Sequence, residues 1–133
     1  MNKIIKYWKS IIWIIIIFIL SAISGDELNK VPKIPIPHFD KIAHFGMYFI
    51  LTSILILDFS ASVIGTKNTK LNIKIMFYVL IFSLSYGILM ELMQEFVFEK
   101  RSASFYDFLA NALGSFIAMF GKKYWLNFIS KVH

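Results

Sequence analysis

From Ile11 to Leu20 every residue is apolar, and three further apolar blocks follow before the C-terminus. No feature constrains the fold more, because four such blocks exceed what the core of one small soluble domain can bury. A helix rises about 1.5 Å per residue, so a helix over 7–24 spans roughly 26 Å, close to the hydrocarbon thickness of a bilayer. Composition agrees. Hydrophobic residues make up 58% of the 133, and the mean hydropathy is +0.68, above the roughly half-apolar usage of soluble domains. The expected fold is all-α, a polytopic membrane protein built as a four-transmembrane-helix bundle. Its helices run over approximately 7–24, 40–59, 72–98 and 104–120, and residues 1–133 form a single domain.

The connections are polar. Pro32, Pro35 and Pro37 remove three backbone donors and forbid a regular helix, so 25–39 is read as an extended surface loop. Asp40 opens the second helix as its N-cap. Residues 60–71, with Lys67 and Lys70, form a polar loop. Glu99 to Ser102 make a tight turn, and Ser102 or Ser104 caps the fourth helix. The first block, with Lys3, Lys6 and Lys9 before it and Ala22-Ile23-Ser24 after it, has the outline of a signal peptide. The later blocks require insertion in any case, so it is read as a retained helix.

Lys and Arg outnumber Asp and Glu by 14 to 8. The bases flank apolar blocks, which points to anionic lipid rather than nucleic acid. With the N-terminus inside, nine bases (Lys3, Lys6, Lys9, Lys67, Lys70, Lys74, Lys122, Lys123 and Lys131) face the cytoplasm. Five (Lys30, Lys33, Lys41, Lys100 and Arg101) face out. The positive-inside rule therefore assigns both termini of this multi-pass chain to the cytoplasm. The absence of cysteine excludes disulfides, thiolate nucleophiles and Cys-ligated metals.

Ionisable residues inside membrane helices are costly and are functional candidates by default. Asp40, His44 and Tyr48 stand at i, i+4 and i+8 on one face of the second helix. Gly87, Glu91 and Glu95 share a stripe on the third, with Gln94 beside it. Asp107, Asn111 and Gly114 share one on the fourth. All three stripes fall at the outer end of the bundle, whereas the inner halves read as plain Ile, Leu, Phe and Met. Ala110, Gly114 and Ala118 form a small-residue stripe that suits close helix packing.

The order Asp40-Lys41-x-x-His44-Phe45-x-x-Tyr48, then Glu91-x-x-Gln94, Arg101, Asp107, Asn111 and Gly114, resembles the VanZ-like family of bacterial membrane proteins over roughly 40–121. Glu99 and Lys100 stand where members often have Pro-Gly, and Ala118 where a second glycine is common. Neither departure removes a polar motif residue. The resemblance implies an envelope protein associated with low-level teicoplanin resistance, and no particular reaction.

The ligand-binding candidates are Asp40, Lys41, His44, Tyr48, Glu91, Gln94, Arg101, Asp107 and Asn111, and the catalytic ones are His44, Glu91 and Asp107. His44 is the most chemically versatile of them, since histidine can act as acid or base. Arg101, alone among Lys residues, offers a planar fork for phosphate or carboxylate. Gln94 and Asn111 supply both donor and acceptor. The expected function is an outward-facing pocket holding a polar or anionic envelope ligand, such as a lipid headgroup or a lipid-linked cell-wall precursor, so that glycopeptide susceptibility falls. The alternative is a membrane-embedded hydrolase or transferase acting on a lipid-linked substrate, with His44 as acid or base and Arg101 steadying charge. A third possibility is a purely structural polar plug. His38, Asp40, His44 and Glu91 show no recognised metal-ligand spacing, so neither a metal nor a cofactor is expected. Ser83 and Ser85 lie mid-helix, remote from the cluster, which argues against a serine nucleophile.

Overall fold

The computed structural model describes residues 6–23, 27, 30, 32, 35–61, 72–98, 100, 102–121 and 131, with the side chains of 60, 61, 72 and 73 left out. Among these residues the chain is helical without strands. Four helices follow in order: α1 (Trp8–Ala22), α2 (Phe39–Ala61), α3 (Asn72–Phe96) and α4 (Phe105–Phe120). Within α2 and α3, Phe39–Phe59 and Lys74–Phe96 are long and apolar enough to cross a membrane, and α1 and α4 are shorter apolar helices.

Local chemistry fixes the helix starts. Ser104, with extended backbone, caps α4 by accepting from the Asp107 amide at 3.4 Å. α2 begins one residue earlier than expected. The His38 carbonyl accepts from the amides of Lys41 (3.1 Å) and Ile42 (3.2 Å), so Asp40 lies inside the first turn rather than capping it. His38 itself adopts φ 56, a left-handed conformation in which histidine is among the better tolerated side chains. The loop before it is not uniformly extended: Glu27 and Lys30 are helical and pair at 3.0 Å. Their i, i+3 spacing places them on one face of a turn.

α2 and α4 share the most extensive interface. Gly114 makes it possible. A Cβ built there would run into the carbonyl oxygen of Phe45 and come to 3.0 Å from the amide nitrogen of Phe49. Backbone thus packs on backbone, as the small-residue stripe predicts, with Ser115 and Ala118 fully buried alongside. Ile17, Leu51, Leu55, Ile56, Met76, Val79 and Met90 form the apolar core among α1, α2 and α3.

The interior is nevertheless unusually polar. Thr52 donates to the Ser83 hydroxyl at 3.0 Å in the middle of the bundle. At the end opposite the expected site, Asp58 is buried and accepts from the Ser10 hydroxyl at 2.6 Å and the Ser10 amide at 3.4 Å. The inner halves are therefore not plain hydrocarbon, contrary to expectation, because a carboxylate met by two donors is stable where an unpaired one would not be. Outside, the pattern inverts: Ile12, Ile19, Phe77, Ile81, Leu89, Leu92, Phe105 and Leu113 stand exposed.

Candidate functional site: a polar cluster among three helices

The start of α2, the end of α3 and the start of α4 meet at one end of the bundle. His44, Glu91 and Asn111 are buried there, and Asp107 is nearly so. The Nδ1 atom of His44 lies 3.0 Å from Oδ1 of Asn111. Since a carbonyl oxygen only accepts, Nδ1 carries the hydrogen when this pairing forms, and Nε2 is left to face the next helix. Nε2 points at Oδ2 of Asp107, 3.6 Å away. The other oxygen of Asp107, Oδ1, lies 3.4 Å from the Lys41 ammonium, which also contacts Asp40 at 2.9 Å. Glu91 accepts from the Ser104 amide at 3.0 Å, so the turn that caps α4 also holds the carboxylate of α3.

Tyr48 and Asn111 line the cluster's floor. Gly87 admits them: a Cβ there would sit 3.3 Å from the Tyr48 ring and 3.5 Å from Nδ2 of Asn111. The Tyr48 hydroxyl, on a residue only 1% exposed, and Nδ2 of Asn111 find no hydrogen-bond partner among the described residues.

The expected set is therefore brought together in large part. His44, Tyr48, Glu91, Asp107 and Asn111 converge, Lys41 closes one side, and Asp40 stands at the rim with its side chain 61% exposed. Arg101 lies outside the described residues. Gln94 is not part of the cluster. It is fully buried, and its amide donates to the Ser21 carbonyl of α1 at 3.3 Å. Its place three residues after Glu91 turns it toward the neighbouring helix, a rotation that a stripe pattern alone does not resolve. Glu95 accepts from the Ala103 amide at 2.8 Å and closes the α3–α4 turn.

A cavity of about 260 Å³ opens beside Glu91, between the end of α3 and the start of α4. Ile88, Leu92, Phe105 and Phe108 wall it, with Ser104 at its edge. It reaches Glu91 but not His44. A second cavity of about 300 Å³, lined by Leu55, Phe59, Ile75, Tyr78, Val79 and Phe82, is wholly apolar and remote from the cluster.

One arrangement was not legible in the spacing. A donor atom from each of His44, Glu91 and Asp107 lies within 4.8 Å of the other two, a group able to hold a metal ion although no local ligand motif announces it.

The chain is similar to an uncharacterized protein of Schizosaccharomyces pombe. The two are 30% identical over 106 residues, which is 80% of this chain and 60% of that protein. The chain thus spans about 60% of its relative's length. No family model and no solved structure matches it.

Proposed function

We propose that the chain is a VanZ-like, multi-pass protein of the cell membrane, with both termini cytoplasmic, whose polar cluster takes a polar or anionic group of the envelope, foremost a lipid headgroup. The convergence of His44, Glu91, Asp107 and Asn111 from three helices onto one site carries this reading. Membrane placement is supported by the exposed Ile, Leu and Phe surface around a polar interior, because apolar patches of that extent are rare on soluble monomers. The cavity beside Glu91 combines apolar walls with one carboxylate and Ser104. That mixture suits a molecule with a polar head and an apolar body. Similarity to a yeast chain favours a headgroup, which every cell makes, over a cell-wall precursor. Holding an envelope component there would lower susceptibility to glycopeptides such as teicoplanin.

Catalysis is the second reading, and the His44–Asp107 juxtaposition with Asn111 behind the ring favours it. A positioned imidazole with a carboxylate neighbour is the equipment of a general base.

The test pairs binding with abundance. Native mass spectrometry of the detergent-purified protein with added phosphatidylglycerol should show one retained lipid. His44→Ala and Asn111→Ala should lose it while remaining folded and membrane-inserted. Expression of the parent, but not of these variants, should raise the inhibitory concentration of teicoplanin. If both variants retain lipid and phenotype at parental abundance, the cluster is structural. Conversion of the added lipid to a new mass would favour the enzyme.

A further inference from the structure

We propose that His44, Glu91 and Asp107 form a binding site for one first-row divalent transition-metal ion, with zinc as the reference case. The inference does not rest on the headgroup reading.

The geometry begins with the 3.6 Å between Nε2 of His44 and Oδ2 of Asp107. With Nδ1 engaged by Oδ1 of Asn111, Nε2 faces Oδ2 of Asp107 across a gap longer than a direct hydrogen bond. The gap matches the spacing of two ligand atoms on one metal ion. Zinc bonds of about 2.0–2.2 Å at a tetrahedral angle separate neighbouring ligand atoms by about 3.4 Å. Glu91 completes the set, its donor atom within 4.8 Å of the other two.

Each ligand is also held from behind. Asn111 fixes the imidazole through Nδ1. Lys41 takes the other oxygen of Asp107 at 3.4 Å, and the Ser104 amide donates to Glu91. Outer contacts of this kind orient metal ligands and set the histidine tautomer. A second observation points to a guest. The Tyr48 hydroxyl and Nδ2 of Asn111 are buried without partners among the described residues. Three protein ligands leave a zinc coordination position open for water or an oxygen ligand. One nitrogen and two carboxylate oxygens suit zinc, manganese or ferrous iron better than calcium or magnesium, which prefer oxygen alone. A cation here would also reverse the local field, so that two carboxylates no longer oppose an anionic group.

The test uses the full chain, purified in detergent, stripped with chelator and titrated with zinc chloride by calorimetry, with thermal melts in parallel. One zinc per chain should bind with a micromolar or lower Kd and raise the melting temperature. Asp107→Asn, which keeps the side-chain shape, and His44→Ala should weaken binding at least tenfold and abolish the shift. Their metal-free melts should stay cooperative, and Asp107→Asn decides alone if His44→Ala does not fold. His38→Ala and His133→Ala should bind as the parent does. The proposal is overturned if the parent takes up no zinc, if binding survives in Asp107→Asn, or if His38 or His133 proves to be the ligand. Loss of zinc binding with lipid retention intact would remove the metal and leave the headgroup reading standing.

Discussion

A single methyl group separates Gly114 from every other residue type in its effect on this bundle. Any Cβ at that position meets the Phe45 carbonyl and the Phe49 amide, atoms that no rotamer change can move aside. Replacing a mid-helix glycine by alanine ordinarily gains roughly 0.5–1 kcal/mol, while overpacking a tight contact costs about 1–3 kcal/mol. The second effect should win at Gly114, so Gly114→Ala should melt at a lower temperature than the parent in detergent. Gly46, on α2, offers the matched control: a Cβ there meets nothing within 4 Å, and Gly46→Ala should be neutral or stabilising. Equal melting behaviour of the two variants would mean that the α2–α4 contact is misassigned. At this scale much was legible beforehand. The small-residue stripe marked Gly114, and the i, i+4 spacing of Asp40, His44 and Tyr48 marked the cluster face of α2. His44, Glu91 and Asp107 were marked too, as catalytic candidates, but their fitness for a metal was not, because they come from three helices and share no local ligand spacing.

The helices themselves were readable to within about two residues at most ends, since long apolar blocks bounded by charge leave little freedom in where a helix starts and stops. What each face does was harder to read. Gln94 resembled a site residue and serves instead to dock α1, alongside Trp13, whose indole donates to the Met47 carbonyl at 2.9 Å, and Tyr86, whose hydroxyl donates to the Ile14 carbonyl at 2.8 Å. Sequence places a residue on an element, but partner choice depends on how that element is rotated in the assembly. The consequence is a clean separation. Gln94→Ala removes a donor from a buried carbonyl, a loss worth about 1–3 kcal/mol, so the melting temperature should fall while lipid retention stays at the parental level. Loss of lipid in a variant that melts like the parent would return Gln94 to the binding set.

As a whole, the molecule puts its polar cluster at the end formed by the loop before α2 and by the α3–α4 turn. If the base count sets the topology, that end faces away from the cytoplasm. The chain contains no cysteine, so single cysteines at Ser62 and Ser102 can be labelled in whole cells with an impermeant reagent. Labelling is expected at Ser102 and not at Ser62, and the reverse pattern would invert the bundle. The opposite end carries a different consequence, through Asp58 and its two bonds to Ser10. An aspartate at the centre of an inserting segment disfavours membrane entry by about 2.5–3.5 kcal/mol, and less toward a helix end. Ser10 is made long before Asp58 leaves the ribosome. If the earlier helix waits at the insertion machinery, the later one arrives to a ready hydroxyl and the two can leave for lipid as a hairpin. Pairing with Ser10 would then offset part of the cost that Asp58 adds to membrane entry.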